Sequence, residues 1–184
     1  DFSGGNAKFV TYMNIASNIA IGTNINTFVE LGENEKQNKV EYGDVLFTGS
    51  SETPNEVGLS SVLIEKLDES LYLNSFCFGF RLNDKKLFLP EFLKYVFRDE
   101  RTRKQIIKTA NGVTRFNISK KRFAAIKIPI PPLVIQEEIV KILNSFTELE
   151  AELEAELEAE LEARKKQYEY YRSKLLTFDD MGGV

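Results

Sequence analysis

From Leu133 to Phe178 the chain contains no Gly and no Pro. Its middle repeats Glu-Leu-Glu-Ala, which sets Leu149, Leu153, Leu157 and Leu161 four residues apart. Glu, Leu, Ala and Lys are strong helix formers. The Pro131-Pro132 pair suits a helix start, and Glu137 and Glu138 lie in the early turns, where carboxylates favour the helix dipole. The pattern predicts one continuous helix in residues 131–184, after a globular domain in residues 1–130. At 1.5 Å per residue, roughly 45 helical residues span roughly 65 to 70 Å. That is longer than a small domain is wide, so the apolar stripe of such a helix needs cover.

Ile135, Ile139, Ile142, Phe146, Leu149 and Leu153 follow the alternating four-three spacing of a coiled-coil seam. From Leu149 to Leu161 every step is four. Each such step turns about 400°, so the stripe drifts about 40° per repeat, the stutter that unwinds a left-handed supercoil. Tyr168, Tyr171 or Arg172, and Leu175 then resume the seam. A single solvated helix is the simpler alternative. Its glutamates, however, repel along a face, and no basic residue offsets them until Arg164. Apolar partners for the stripe explain its stability better. Ile135, Ile139, Ile142, Phe146, Leu149, Leu153, Leu157, Leu161, Tyr168 and Leu175 are therefore the candidate dimer-interface residues. The repeat reads as a spacer, each unit adding about 6 Å.

The remaining residues suffice for one domain with an ordinary core. The single Cys77 excludes an internal disulfide and reads as a small buried hydrophobe. No apolar run is long enough for a membrane span and no leader precedes the first domain, so the expected compartment is the cytoplasm, with no membrane partner. The chain starts at Asp1 without a Met, and the expectation is a recognition domain with a truncated N-terminus. The net charge of −4 conceals a basic block. Between Arg81 and Lys127 fourteen basic residues face four acidic ones, the footprint of a polyanion binder.

Along the domain, alternation predicts strands over Lys8–Ile15, Val62–Leu67, Leu71–Leu82 and Ile126–Ile130, with a shorter one in Ile19–Ile25. Gly43-Asp44 reads as a turn before a buried Val45-Leu46-Phe47. Phe76, Phe78 and Phe80 share one face and read as core. Pro90–Thr109 reads as one helix with a basic face, and Ser119 as the N-cap of a short helix over Lys120–Ala125. The fold class is α+β.

No His is present, which removes the commonest general base and metal ligand. There is no phosphate-binding glycine loop and no zinc cluster. The expectation is a chain with no catalytic residues, no metal and no bound cofactor. Two polar loops remain. Thr48, Ser50, Ser51 and Thr53 can hold phosphate oxygens or base edges. Asn111, Thr114, Arg115, Asn117, Lys120 and Lys121 combine a guanidinium fork, amides and ammonium groups suited to bases and phosphates. Lys8 and Tyr12, on the first strand, complete the candidate DNA-binding set.

Four pieces in this order carry a resemblance. They are Gly43-Asp44-Val45-Leu46-Phe47-Thr48-Gly49-Ser50-Ser51, then Asn74-Ser75-Phe76-Cys77-Phe78-Gly79-Phe80-Arg81. Asn111-Gly112-Val113-Thr114-Arg115-Phe116-Asn117-Ile118-Ser119 follows, and last Ile128-Pro129-Ile130-Pro131-Pro132-Leu133 with Gln136. Together they resemble the specificity (S) subunits of type I restriction-modification systems. The resemblance implies that residues 1–130 form a target recognition domain and that the long helix is a conserved spacer region. In that family an antiparallel pair of spacer helices separates two recognition domains, each reading half of an interrupted DNA site. It also implies docking of methyltransferase (M) subunits, which use S-adenosylmethionine, and restriction (R) subunits, which use ATP and Mg. The family's S subunits carry two domains and two helices. This chain has one of each, and reads as a half subunit, a fragment or an engineered piece. One amphipathic helix then implies a homodimer. The rival reading is a structural coiled-coil protein whose domain binds another protein.

Overall fold

The computed structural model describes residues 4–33 and 35–177. The architecture is α+β, with mixed sheets followed by a long helix. The chain opens with β1 (Ala7–Val10), but the strand expected over Lys8–Ile15 stops there and α1 (Tyr12–Ser17) begins. The reason is local. Thr11 caps the helix, accepting from the Asn14 amide, while the Asn14 carboxamide accepts from the Thr11 amide at 2.9 Å. This reciprocal pair overrides the alternation.

Short strands β2 (Ala20–Ile21), β3 (Phe28–Val29) and β4 (Lys39–Val40) lead to β5 (Val45–Thr48). All four β5 residues are buried. Leu46 packs into one core cluster, with Val10, Ile15 and Leu73. Val45 and Phe47 pack into a second, with Leu93, Phe97 and Ile106. A strand covered on both faces must be apolar at successive positions.

Gly49 then bends the chain into β6 (Ser50–Ser51). β7 (Ser60–Leu63) starts two residues before the expected Val62–Leu67, with Ser60 and Ser61 buried. The single strand expected over Leu71–Leu82 is divided. β8 (Leu71–Leu73) and β9 (Cys77–Phe80) join different sheets, around a turn in which Asn74 Oδ1 accepts from the Phe76 amide at 2.8 Å. The order is β3-β1-β8-β4 in one sheet and β2-β7-β5-β9 in another; β1–β8 and β2–β7 are parallel pairs.

The helix expected over Pro90–Thr109 is also two, α2 (Pro90–Val96) and α3 (Glu100–Ile107). Asp99 restarts the second by accepting from the Arg101 and Thr102 amides. β10 (Ala110–Asn111) and β11 (Phe116–Ile118) form a hairpin, and β11 pairs with β6 in a third sheet. Ser119 caps α4 (Lys120–Phe123), as predicted. Ile126–Ile130 is not a strand. Pro129 in its middle lacks the donor a ladder requires, and Ile126 and Ile128 pack instead against the second cluster.

α5 (Leu133–Leu176) is one unbroken helix of 44 residues. Contacts divide the chain into Asp1–Val140 and Lys141–Val184, so the first turns of α5 belong to the compact unit. Gln136 secures them. It is fully buried, donates to the Leu87 and Pro131 carbonyls and accepts from the Leu89 amide at 2.9 Å. Ile139 and Val140 pack against the second core cluster, so Ile139 of the candidate stripe has partners within its own domain. From Ile142 to Leu175 the other stripe residues are more than half exposed.

Candidate nucleic-acid interface

Gly49 places the two candidate loops side by side. Its amide donates to the Phe76 carbonyl at 2.9 Å, and its own carbonyl accepts from the Ile118 amide at 2.9 Å. A Cβ here would lie 2.6 Å from the Phe76 oxygen, so only Gly allows this approach. One residue thus ties the β5–β6 bend to the turn before β9 and to β11. The β10–β11 loop is fixed by Gly112, whose φ of 126° belongs to glycine. Asn117 donates to the Arg115 carbonyl at 3.2 Å and holds the loop's end.

The result is an open cleft of about 360 Å³ lined by Tyr12, Ser50, Ser51, Glu52, Glu56, Phe76 and Arg115. Four of these, Tyr12, Ser50, Ser51 and Arg115, are predicted candidates that the fold brings together. Phe76 departs from expectation. Phe78 stacks on Phe47 at 5.3 Å and Phe80 meets Phe97 at 6.2 Å, as core residues should. Phe76 is 61% exposed instead, and the Arg115 guanidinium lies 5.8 Å from its ring centre. Lys120 sits similarly over Phe78, at 5.9 Å. The Asn74 turn lifts Phe76 out of the strand, and period-two reasoning overlooks such a turn.

Other candidates fall elsewhere. Thr48 is fully buried; its hydroxyl accepts from the Leu59 amide at 3.0 Å and donates to the Glu56 carbonyl. That hydroxyl serves the fold and faces no ligand. Lys8 lies in a separate cleft and pairs with Glu69 at 3.1 Å. Asn111 Oδ1 accepts from Arg122, which anchors the hairpin to α4. Thr53 and Thr114 are exposed on their loops, and Lys121 is exposed on α4. No described carboxylate forms an ion pair with Arg115, Lys120 or Lys121. A larger cavity of about 530 Å³ adjoins Lys120, but its arginine, Arg81, is already held by Asp44 at 2.7 Å and by Glu41 at 2.8 Å.

The basic block divides in the same way. Arg98 donates to the Ser60 carbonyl at 2.7 Å and to the Ile15 carbonyl at 2.8 Å. Arg103 donates to the Asn55, Val57 and Gly58 carbonyls, and burial pushes its guanidinium down to about 10. Arg103 thus holds the β6–β7 connection, and Arg98 ties the end of α1 to the start of β7. Cys77 is buried, and burial pushes its thiol up to about 11, which leaves it inert.

The type I restriction modification DNA specificity domain family matches residues 4–163. The chain belongs to this family. A Haemophilus influenzae protein named as a type I restriction enzyme specificity subunit is 57% identical over 77 residues, covering 40% of this chain and 20% of the relative. The Escherichia coli EcoR124I/EcoR124II specificity subunit is 35% identical over 101 residues, covering 52% and 25% respectively. These matches span a quarter or less of either relative. A solved chain from work on complex assembly and conformational transition of the type I R-M system shares the fold, with TM-score 0.57 and 19% identity over 92% of this chain and 37% of that one. No helix among the described residues is long and apolar enough to cross a membrane.

Proposed function

We propose that this chain is a non-catalytic DNA-recognition subunit that reads one half of a bipartite site. Its recognition surface is the cleft between the β5–β6 bend and the β10–β11 hairpin, with Arg115 over Phe76 at its centre. Lys120 and Lys121 on α4 contact phosphates, and Arg115 faces base edges; Ser50 and Ser51 are buried beneath it, the Ser51 hydroxyl accepting from the Thr53 amide at 3.2 Å. The observation that carries this reading is the convergence of two loops, distant in sequence, on one cleft whose arginine forms no ion pair with any described carboxylate. Membership of the specificity-domain family supports it. A second copy pairs through the exposed stripe of α5, and methyltransferase and restriction subunits dock on the assembly. S-adenosylmethionine, ATP and Mg belong to those subunits.

The test is methylome sequencing of cells that carry this chain with its methyltransferase subunit. The expected motif is interrupted and symmetric, because a two-fold protein reads a two-fold site. An uninterrupted motif, or no new methylation, overturns the reading. Adding one Glu-Leu-Glu-Ala unit should lengthen the unread gap by roughly one to two base pairs, at about 3.4 Å per step. An unchanged gap would remove the spacer's role as a ruler.

A further inference from the structure

The cleft around Arg115 displays three chemistries side by side. Arg115 offers only hydrogen-bond donors, the exposed Glu52 and Glu56 offer only acceptors, and Phe76 offers a bare ring. The major groove of a duplex presents the complement of all three: acceptors on guanine, amino donors on adenine and cytosine, and the C5-methyl group of thymine. The minor groove presents one kind of donor and no apolar group. A cleft of this mixture fits the major groove.

Phe76 is the costly member of the set. A phenylalanine gains stability from burial, yet this one is 61% exposed. Its backbone is tied on both sides. The Phe76 amide donates to Asn74 Oδ1 at 2.8 Å, and its carbonyl accepts from the Gly49 amide at 2.9 Å. Asn74 is held in turn. Its amide donates to the Val10 carbonyl at 3.1 Å, and its carbonyl accepts from the Cys77 amide at 3.0 Å. Cys77 is buried and pairs with Thr48 in the β5–β9 ladder. A ring carried on so fixed a backbone loses little freedom when it meets a ligand.

Resting on the reading of this cleft as the DNA-recognition surface, we propose that Phe76 determines specificity by packing on the C5-methyl group of a thymine in the half-site. Apolar contact with that methyl group distinguishes thymine from the other three bases in the major groove. The Arg115 guanidinium lies 5.8 Å from the centre of the ring, and base pairs stack about 3.4 Å apart. The thymine therefore lies roughly one to two base pairs from the base that Arg115 reads.

Two other uses of an exposed ring fit less well. A wedge between base steps enters from the minor groove, where Glu52 and Glu56 find little to accept from. A ring that only seats a cation can stay half-buried, as Phe78 does beside Lys120 at 5.9 Å. Phe76 is lifted clear instead.

The test is fluorescence anisotropy of the full chain on the methylated motif, with each thymine of the half-site replaced in turn by deoxyuridine. The exchange removes one methyl group and leaves every pairing atom in place. At one position it should weaken binding about four-fold, the factor that burial of one methyl group is worth. Phe76→Ala should bind the thymine and deoxyuridine duplexes equally, and Phe76→Leu, which keeps an apolar tip, should restore part of the difference. The assignment is overturned if the unaltered chain binds every deoxyuridine duplex as tightly as the motif. It is also overturned if Phe76→Ala weakens both duplexes by one factor and keeps the difference between them, as a wedge or a seat for Arg115 requires. In either case preference for the motif over a scrambled duplex leaves the DNA-reading role standing. Loss of that preference in the unaltered chain removes the role and the thymine contact together.

Discussion

α3 and the segment from β10 through α4 are both rich in Arg and Lys, and both lie inside the basic block. Arg103 on α3 is 9% exposed and spends its donors on three carbonyls of its own chain. Arg115 on the hairpin loop is exposed and lies over the face of Phe76. The difference lies in the backbone that each one faces. The connection from β6 to β7 leaves the Asn55, Val57 and Gly58 carbonyls without partners in any ladder, and buried carbonyls require donors. A buried guanidinium with five N–H groups answers several at once. In the β10–β11 hairpin Arg122 serves the Ala110 carbonyl and Asn117 the Arg115 carbonyl, so the Arg115 guanidinium remains available. Charge density in a sequence thus overstates the surface a polyanion can meet.

The contrast breaks most visibly at Arg103. Replacing it with Met keeps the volume and leaves three carbonyls unmatched, so Arg103→Met should cost about 3 to 4 kcal/mol of stability. Urea unfolding measures this, and a loss under about 1 kcal/mol would mean that water fills the role. Arg115→Ala should do the reverse. Stability should change by no more than about 0.5 kcal/mol, while affinity for the methylated motif drops by about 1 to 3 kcal/mol. Fluorescence anisotropy with the motif and a scrambled duplex separates a loss of reading from a loss of general affinity. If both duplexes weaken equally, Arg115 contacts phosphate and the base readers lie elsewhere in the cleft.

The sequence made α5 plain because nothing competes with its propensity. Forty-four residues contain no breaker, and the repeat states its own period. The Ser119 cap and the Gly43-Asp44 turn were legible for the same reason, since each acts through its neighbours. What stayed hidden depends on side chains closing local rings. Thr11 and Asn14 convert the end of a strand into a helix. Asp99 splits one amphipathic helix into two, and Asn74 divides one strand between two sheets. The cleft was half visible. Its hydroxyls and Arg115 follow from residue type, but Phe76 requires the Asn74 turn and Thr48 requires knowledge of where β5 ends. Gln136 was visible only as part of a motif, because an amide at a helix start looks solvated until the Leu87 and Leu89 backbone is placed against it.

The smallest expected effect sharpens the same contrast from the other side. Lys121 is exposed on α4, one residue beyond Lys120, and no described carboxylate neutralises it. A lysine of this kind contributes through counterion release. Lys121→Ala should therefore weaken the motif and the scrambled duplex alike, by a few-fold at moderate salt, and reduce the slope of log affinity against log salt by about one. Lys104 is the control. It carries the same charge but is paired with Glu100 one helical turn away, at 2.5 Å. A Lys104→Ala variant should leave the slope unchanged. Equal slopes for the two variants would show that the charge of the whole block, rather than its placement on the α4 side, governs DNA affinity.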